Sequence, residues 1–147
     1  MPTTISGNTG VSQVQAASIT AADLDGAQTG SAPVYGCRAW VNFDGTKDTT
    51  GATSTANTNR LILGSGNVSS VLRNGAGDYT VAFTTAMPDE NYAVNCSRAV
   101  TTTVGNAAFG LNQTNPSKTT SGVRLLAIQG STVAPSDNGQ LNVTVFR

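Results

Sequence analysis

Apolar and polar residues alternate with period two over short stretches, and polar, glycine-rich breaks separate the stretches. That is the pattern of half-buried strands rather than of amphipathic helices. The longest run starts at Val34. Tyr35, Cys37, Ala39, Val41 and Phe43 share one set of alternate positions, and Gly36, Arg38, Trp40 and Asn42 the other. This predicts a long strand with two usable faces, ended by a turn at Asp44-Gly45-Thr46, and a polar loop over residues 46–60. Shorter strands are predicted at Leu61–Leu63, Val68–Leu72, Tyr79–Phe83, Tyr92–Cys96, Ala107–Leu111, Val123–Ile128 and Leu141–Phe146. Between Leu72 and Tyr79, the Asn74-Gly75 step and Gly77 predict a hairpin with positive φ angles. Met87-Pro88-Asp89-Glu90-Asn91 reads as a further turn. Seven or eight short strands at this spacing predict an all-β fold, an antiparallel β-sandwich of jelly-roll type over residues 34–147.

Residues 1–33 follow a different rule. They hold no aromatic residue and no Lys or Arg, and their only charges are Asp23 and Asp25. Ile5, Val11, Val14, Ile19 and Leu24 are too sparse to build a core, so this stretch is expected to be either a flexible leader or an extended or partly helical arm that docks on a partner. Thr20-Ala21-Ala22-Asp23 fits a helix-start pattern with Asp in place of Glu.

Composition narrows the chemistry. Of 147 residues, 22 are Thr, 13 Ser, 13 Asn and 16 Gly, while eight Lys and Arg balance eight Asp and Glu. At 11% charged residues, against about 25% in ordinary domains, the surface is solvated by hydroxyls and amides. The eight basic residues are scattered, so neither a nucleic-acid-binding stripe nor a basic membrane patch is expected. The chain has no histidine, which removes the commonest general base, metal ligand and nucleophile partner. No enzymatic role and no cofactor are expected. No apolar run of about 18 residues and no basic, then apolar, leader pattern occurs, so neither a membrane span nor a secretion signal is expected.

Two passages are more specific than composition: Ala39–Thr46 within GCRAWVNFDGT, and GSGNVSSVLRNGAGDYTVAFTTAMPDENYAV over Gly64–Val94. In this order they resemble a β-sandwich module that recurs at the C-terminal ends of tail fibre proteins and other virion proteins of tailed bacteriophages. The leader TTISGNTGVSQVQAASITAADLDGAQTG is similar to the short stretches that precede such modules. The resemblance implies a virion surface protein, made in the bacterial cytoplasm and assembled as a homotrimer. Its arm would dock on other virion proteins, and its head would be exposed. Two roles stay open: a short tail fibre or fibre tip that contacts a host-surface glycan, and a capsid decoration protein that stabilises the shell.

Candidate residues follow from these readings. Trp40, the only tryptophan, together with Arg38, is a candidate either for stacking a sugar ring or for anchoring a trimer seam, since an aromatic face covers apolar C–H groups in both settings. Arg38 is also placed to pair across strands with Asp78 or Asp89. Loops 46–60, 101–106, 112–121 and 130–140 are the expected glycan contacts. Asp44 and Asp48 match two positions of a calcium loop, but Thr46, Thr55 and the missing glycine do not, so a plain turn is expected there. Cys37 and Cys96 are far apart in sequence and form no CxxC pair. They are read as two buried free thiols, or as a disulfide if their strands bring the Cα atoms within about 7 Å.

Overall fold

The computed structural model describes residues 36–99, 107–113, 116–129 and 134–147. The expected docking arm, with Ile5, Val11, Val14, Ile19 and Leu24, lies outside the described residues, as do the 101–106 loop and parts of the 112–121 and 130–140 loops. Ten strands follow in chain order: β1 Cys37–Asp48, β2 Arg60–Gly66, β3 Val68–Gly75, β4 Asp78–Phe83, β5 Ala93–Arg98, β6 Ala107–Leu111, β7 Lys118–Thr119, β8 Gly122–Gln129, β9 Ala134–Pro135 and β10 Leu141–Phe146. One sheet has the order β2-β1-β10-β5 and the other β3-β4-β8-β6, with the short β7 and β9 alongside β8. All pairings are antiparallel. The expected two-layer sandwich is present. Sequence neighbours β1 and β2, and again β3 and β4, pair within one sheet. The jelly-roll label read from the sequence therefore describes the layering, not the connectivity.

Alternation fills the core. Ala39, Val41 and Phe43 on β1 and Leu141, Val143 and Val145 on β10 point inward against Val71, Tyr79, Val81, Val123, Leu125 and Ala127 of the other sheet. Phe43 meets Tyr79 edge-on with ring centroids 5.2 Å apart, and Phe83 meets Tyr92 at 5.8 Å. Edge-on pairs of this kind add about 0.5–1.5 kcal/mol beyond the apolar area they bury. Met87 and Tyr92, which flank the Pro88 turn, are both buried, and the Tyr92 hydroxyl donates to the Gly122 carbonyl at 2.8 Å.

Two local expectations are corrected. First, β1 does not end at Asp44-Gly45-Thr46 but runs to Asp48. Gly45 serves close approach rather than a turn: a Cβ there would overlap the Tyr79 hydroxyl and lie 2.9 Å from the Asn138 carbonyl. Second, in the β3–β4 hairpin only Gly77 has positive φ, at 66°. Asn74 instead donates from its side chain to Thr80 Oγ1 at 2.9 Å and Asp78 Oδ1 at 3.2 Å. The one non-glycine residue with positive φ among the described residues is Asn67, at 56°. It alone separates β2 from β3 and so turns the chain from one sheet to the other. Asn tolerates this conformation better than most residues. Its side chain then ties both layers, accepting from the Thr85 amide at 2.7 Å and donating to the Arg38 carbonyl at 3.0 Å.

Candidate functional site

Two polar assemblies stand out, one closed and one open. The closed assembly lies where the 49–59 loop, the β3–β4 turn and residues 136–138 meet. Arg73, only 6% exposed, pairs with Asp137 at 2.9 Å and donates to the Thr55 carbonyl at 2.7 Å and Asn57 Oδ1 at 2.6 Å. Asp137 also accepts from the Gly77 amide at 2.9 Å and the Tyr79 hydroxyl at 2.7 Å. Burial pushes the Asp137 carboxyl up, but Arg73, Gly77 and Tyr79 outweigh it and hold it below the usual carboxylate range. Burial, and then the carboxylate beside it, push the Tyr79 hydroxyl far up, so it stays a neutral donor. Arg60, 1% exposed, caps the Ser54 and Ala56 carbonyls of the same loop. The 46–60 segment is therefore held by two buried guanidinium groups.

The open assembly is the outer face of the β2-β1-β10-β5 sheet. Register aligns two rows across it: Gly66, Trp40, Thr144 and Asn95, then Gly64, Asn42, Asn142 and Ser97. Trp40 is 45% exposed. Its indole lies along β2: a Cβ at Gly66 would overlap Nε1 and lie 2.9 Å from Cδ1, and one at Gly64 would lie 3.3 Å from Cη2. One ring face covers the backbone of the two glycines, an aromatic shielding an edge strand that has no side chains there. Beside it, Asn95, Ser97, Asn142 and Thr144 line a shallow groove of about 190 Å³, two strands or roughly 10 Å from Trp40 at its far side. Asn42 sits between, with Oδ1 enclosed and unpartnered among the described residues. No Asp or Glu occurs in either row. The next row is Arg38 with Phe146, both exposed. The β-bulge between Cys37 and Ala39 sets Cys37 and Arg38 opposite that one residue.

Of the residues singled out in the sequence, Trp40 and Arg38 are together on this open face. The expected cross-strand pairs of Arg38 are not formed: Asp78 pairs with Arg124 at 2.7 Å, and Asp89 with Arg147. Cys37 and Cys96 are free, and Cys37 is exposed rather than buried. Strand β10 lies between their strands, with Cys37 opposite Phe146 and Cys96 opposite Val143. That places them roughly 15 Å apart, beyond disulfide reach. Burial pushes the Cys96 thiol up to about 11, so it is not a nucleophile at neutral pH. Asp44 and Asp48 do not face a common centre: Asp44 accepts from Thr46, and Asp48 from Thr50. The groove residues Asn95, Ser97, Asn142 and Thr144 escaped the sequence reading. Their only signal was i, i+2 spacing on two strands, and cross-strand register was needed to join them to Trp40. No family model, no curated protein and no solved structure matches the chain.

Proposed function

We propose that the chain is a structural protein of a tailed bacteriophage virion, a short tail fibre or fibre tip. In this reading the 1–33 arm attaches it to the particle and the outer face of the β2-β1-β10-β5 sheet binds a host-surface glycan. The observation that carries the reading is the Trp40 indole, laid on two glycines beside a groove of amides and hydroxyls. A flat aromatic surface covers the apolar C–H side of a pyranose, and fixed amides and hydroxyls take its hydroxyl groups. Recognition requires no catalytic group. The resemblance of the AWVNFDGT and GSGNVSSV…GDYTVAFTTAMPDENYAV passages to phage virion modules supports the same role, with a homotrimer as the expected assembly.

Two measurements test it. The copy number of the chain in purified virions, by quantitative mass spectrometry, is expected to be a small multiple of three; a number comparable with the major capsid protein would make it a decoration protein instead. The purified chain is expected to compete with virions for adsorption to the host, and the Trp40→Ala chain is not. Equal competition by both chains would remove Trp40 from the binding face.

A further inference from the structure

Among the described residues, the open face carries one charge that no carboxylate neutralises. The other seven Lys and Arg heads are engaged. Lys47, Arg73, Arg124 and Arg147 sit on Asp44, Asp137, Asp78 and Asp89, while Arg60, Arg98 and Lys118 donate to backbone carbonyls. Among the described residues the Arg38 guanidinium has no carboxylate and no hydrogen-bond partner. It is exposed and two residues from Trp40 on the same face, with Cα atoms about 6–7 Å apart along the strand. Its backbone is held from below, where Asn67 Nδ2 donates to the Arg38 carbonyl at 3.0 Å. In a chain with 11% charged residues, the described residues thus engage the other seven cations and leave this one beside an exposed indole.

We infer that the Trp40 face selects acidic glycans. One sugar ring stacks on the indole, and an anionic substituent on that ring or the next, carboxylate or phosphate, pairs with Arg38. The guanidinium fork matches both groups in two-point geometry, and no acidic residue in the neighbouring rows opposes them. This deepens the glycan reading above and rests on it. Solvent exposure of the Arg38 pair limits the expected gain to about a tenfold preference, about 1.4 kcal/mol.

The test is a glycan microarray of matched pairs probed with the full chain. Uronate- and sialate-bearing glycans are printed beside their carboxyl-reduced forms, and phosphoglycans beside their dephosphorylated forms. The wild-type chain is expected to bind the acidic member of at least one pair type about tenfold better, and that pair type distinguishes carboxylate from phosphate. The preference is expected to shrink as salt is raised from 0.05 to about 0.5 M, because the pair is exposed to screening. Arg38→Gln is expected to bind both members as the wild type binds the neutral one, with an unchanged melting temperature. Equal wild-type binding to both members overturns the inference and leaves the glycan reading standing. So does an acidic preference that persists in Arg38→Gln. Absence of binding to every glycan on the array overturns both readings together.

Discussion

The closed loop end and the open sheet face use the same kinds of residues to opposite effect. At the loop end, Arg73, Asp137, Tyr79 and Gly77 direct their donors and acceptors at one another, and the carbonyls of the 49–59 loop are capped by Arg73 and Arg60. At the sheet face, Asn95, Ser97, Asn142 and Thr144 stand in register beside an exposed indole, and Arg38 has no partner among the described residues. The first arrangement stabilises the fold and leaves little hydrogen-bonding capacity for a ligand. The second contributes little to stability and keeps its capacity for something outside the molecule. Loops of mixed Thr, Ser and Asn invite assignment as the binding surface, yet the carbonyls of the 49–59 loop are taken up by Arg60 and Arg73.

That contrast breaks most sharply at Asp137. Asp137→Ala leaves the Arg73 charge buried without its counter-charge, so a loss of about 3 kcal/mol is expected, or roughly 10 °C in melting temperature. Glycan binding well below the melting point is expected to be unchanged. A loss under about 1 kcal/mol in urea unfolding would show that the pair is not buried in solution. At the open face the effects reverse. Trp40→Ala is expected to abolish measurable binding while costing about 1 kcal/mol of stability, since the ring is half exposed and shields only two glycines. Gly66→Val is expected to weaken binding at least tenfold with Trp40 still present, because its side chain would displace the indole. An unshifted tryptophan emission spectrum in that variant would contradict the packing described here.

The acid limb of the stability curve sharpens the same comparison. Asp137 and Asp78 are both held below the usual carboxylate range, Asp78 chiefly by its hydrogen bonds from Arg124. A depressed carboxyl stabilises the fold fully above its unfolded pKa, and that contribution is lost as pH falls through the folded value. Wild-type stability is therefore expected to fall as pH drops below about 4, the ordinary carboxylate value. Asp137→Asn is expected to flatten that slope at a lower plateau, as read by urea midpoints across the range. The smallest effect is expected at Arg124→Ala. Its half-exposed pair with Asp78, on the outer face of the other sheet, is worth under about 1 kcal/mol. A larger loss would make that face a second structural node rather than a solvated surface.

Much of the fold could be read along the chain, because alternation acts locally. Ala39, Val41 and Phe43 on one strand and Leu141, Val143 and Val145 on another were assignable to the core from period two alone. Glycine was harder to read. Asp44-Gly45 carries the signature of a turn, but the residue that requires glycine there is Tyr79, 34 positions away. Likewise Asn67 falls between the predicted strands Leu61–Leu63 and Val68–Leu72, and its role as the corner between sheets depends on the Thr85 amide donating to its side chain and the Arg38 carbonyl accepting from it across the gap. Gly64 and Gly66 sit in one quoted passage and Trp40 in the other, and nothing local indicates that the second lies on the first.

From the sequence by itself came the strand class, the two-layer fold, the hydroxyl- and amide-rich surface and the choice of Trp40 and Arg38, since each depends on residue type and on spacing within one strand. Tertiary structure decided which polar residues are engaged. Only register across β2, β1, β10 and β5 sets the indole over two glycines and beside four amides and hydroxyls. Only the convergence of two loops and a turn encloses Arg73 with Asp137. The physical reason is that hydrogen-bonding and stacking forces act over a few ångströms of space, between residues whose separation along the chain carries no trace of that proximity.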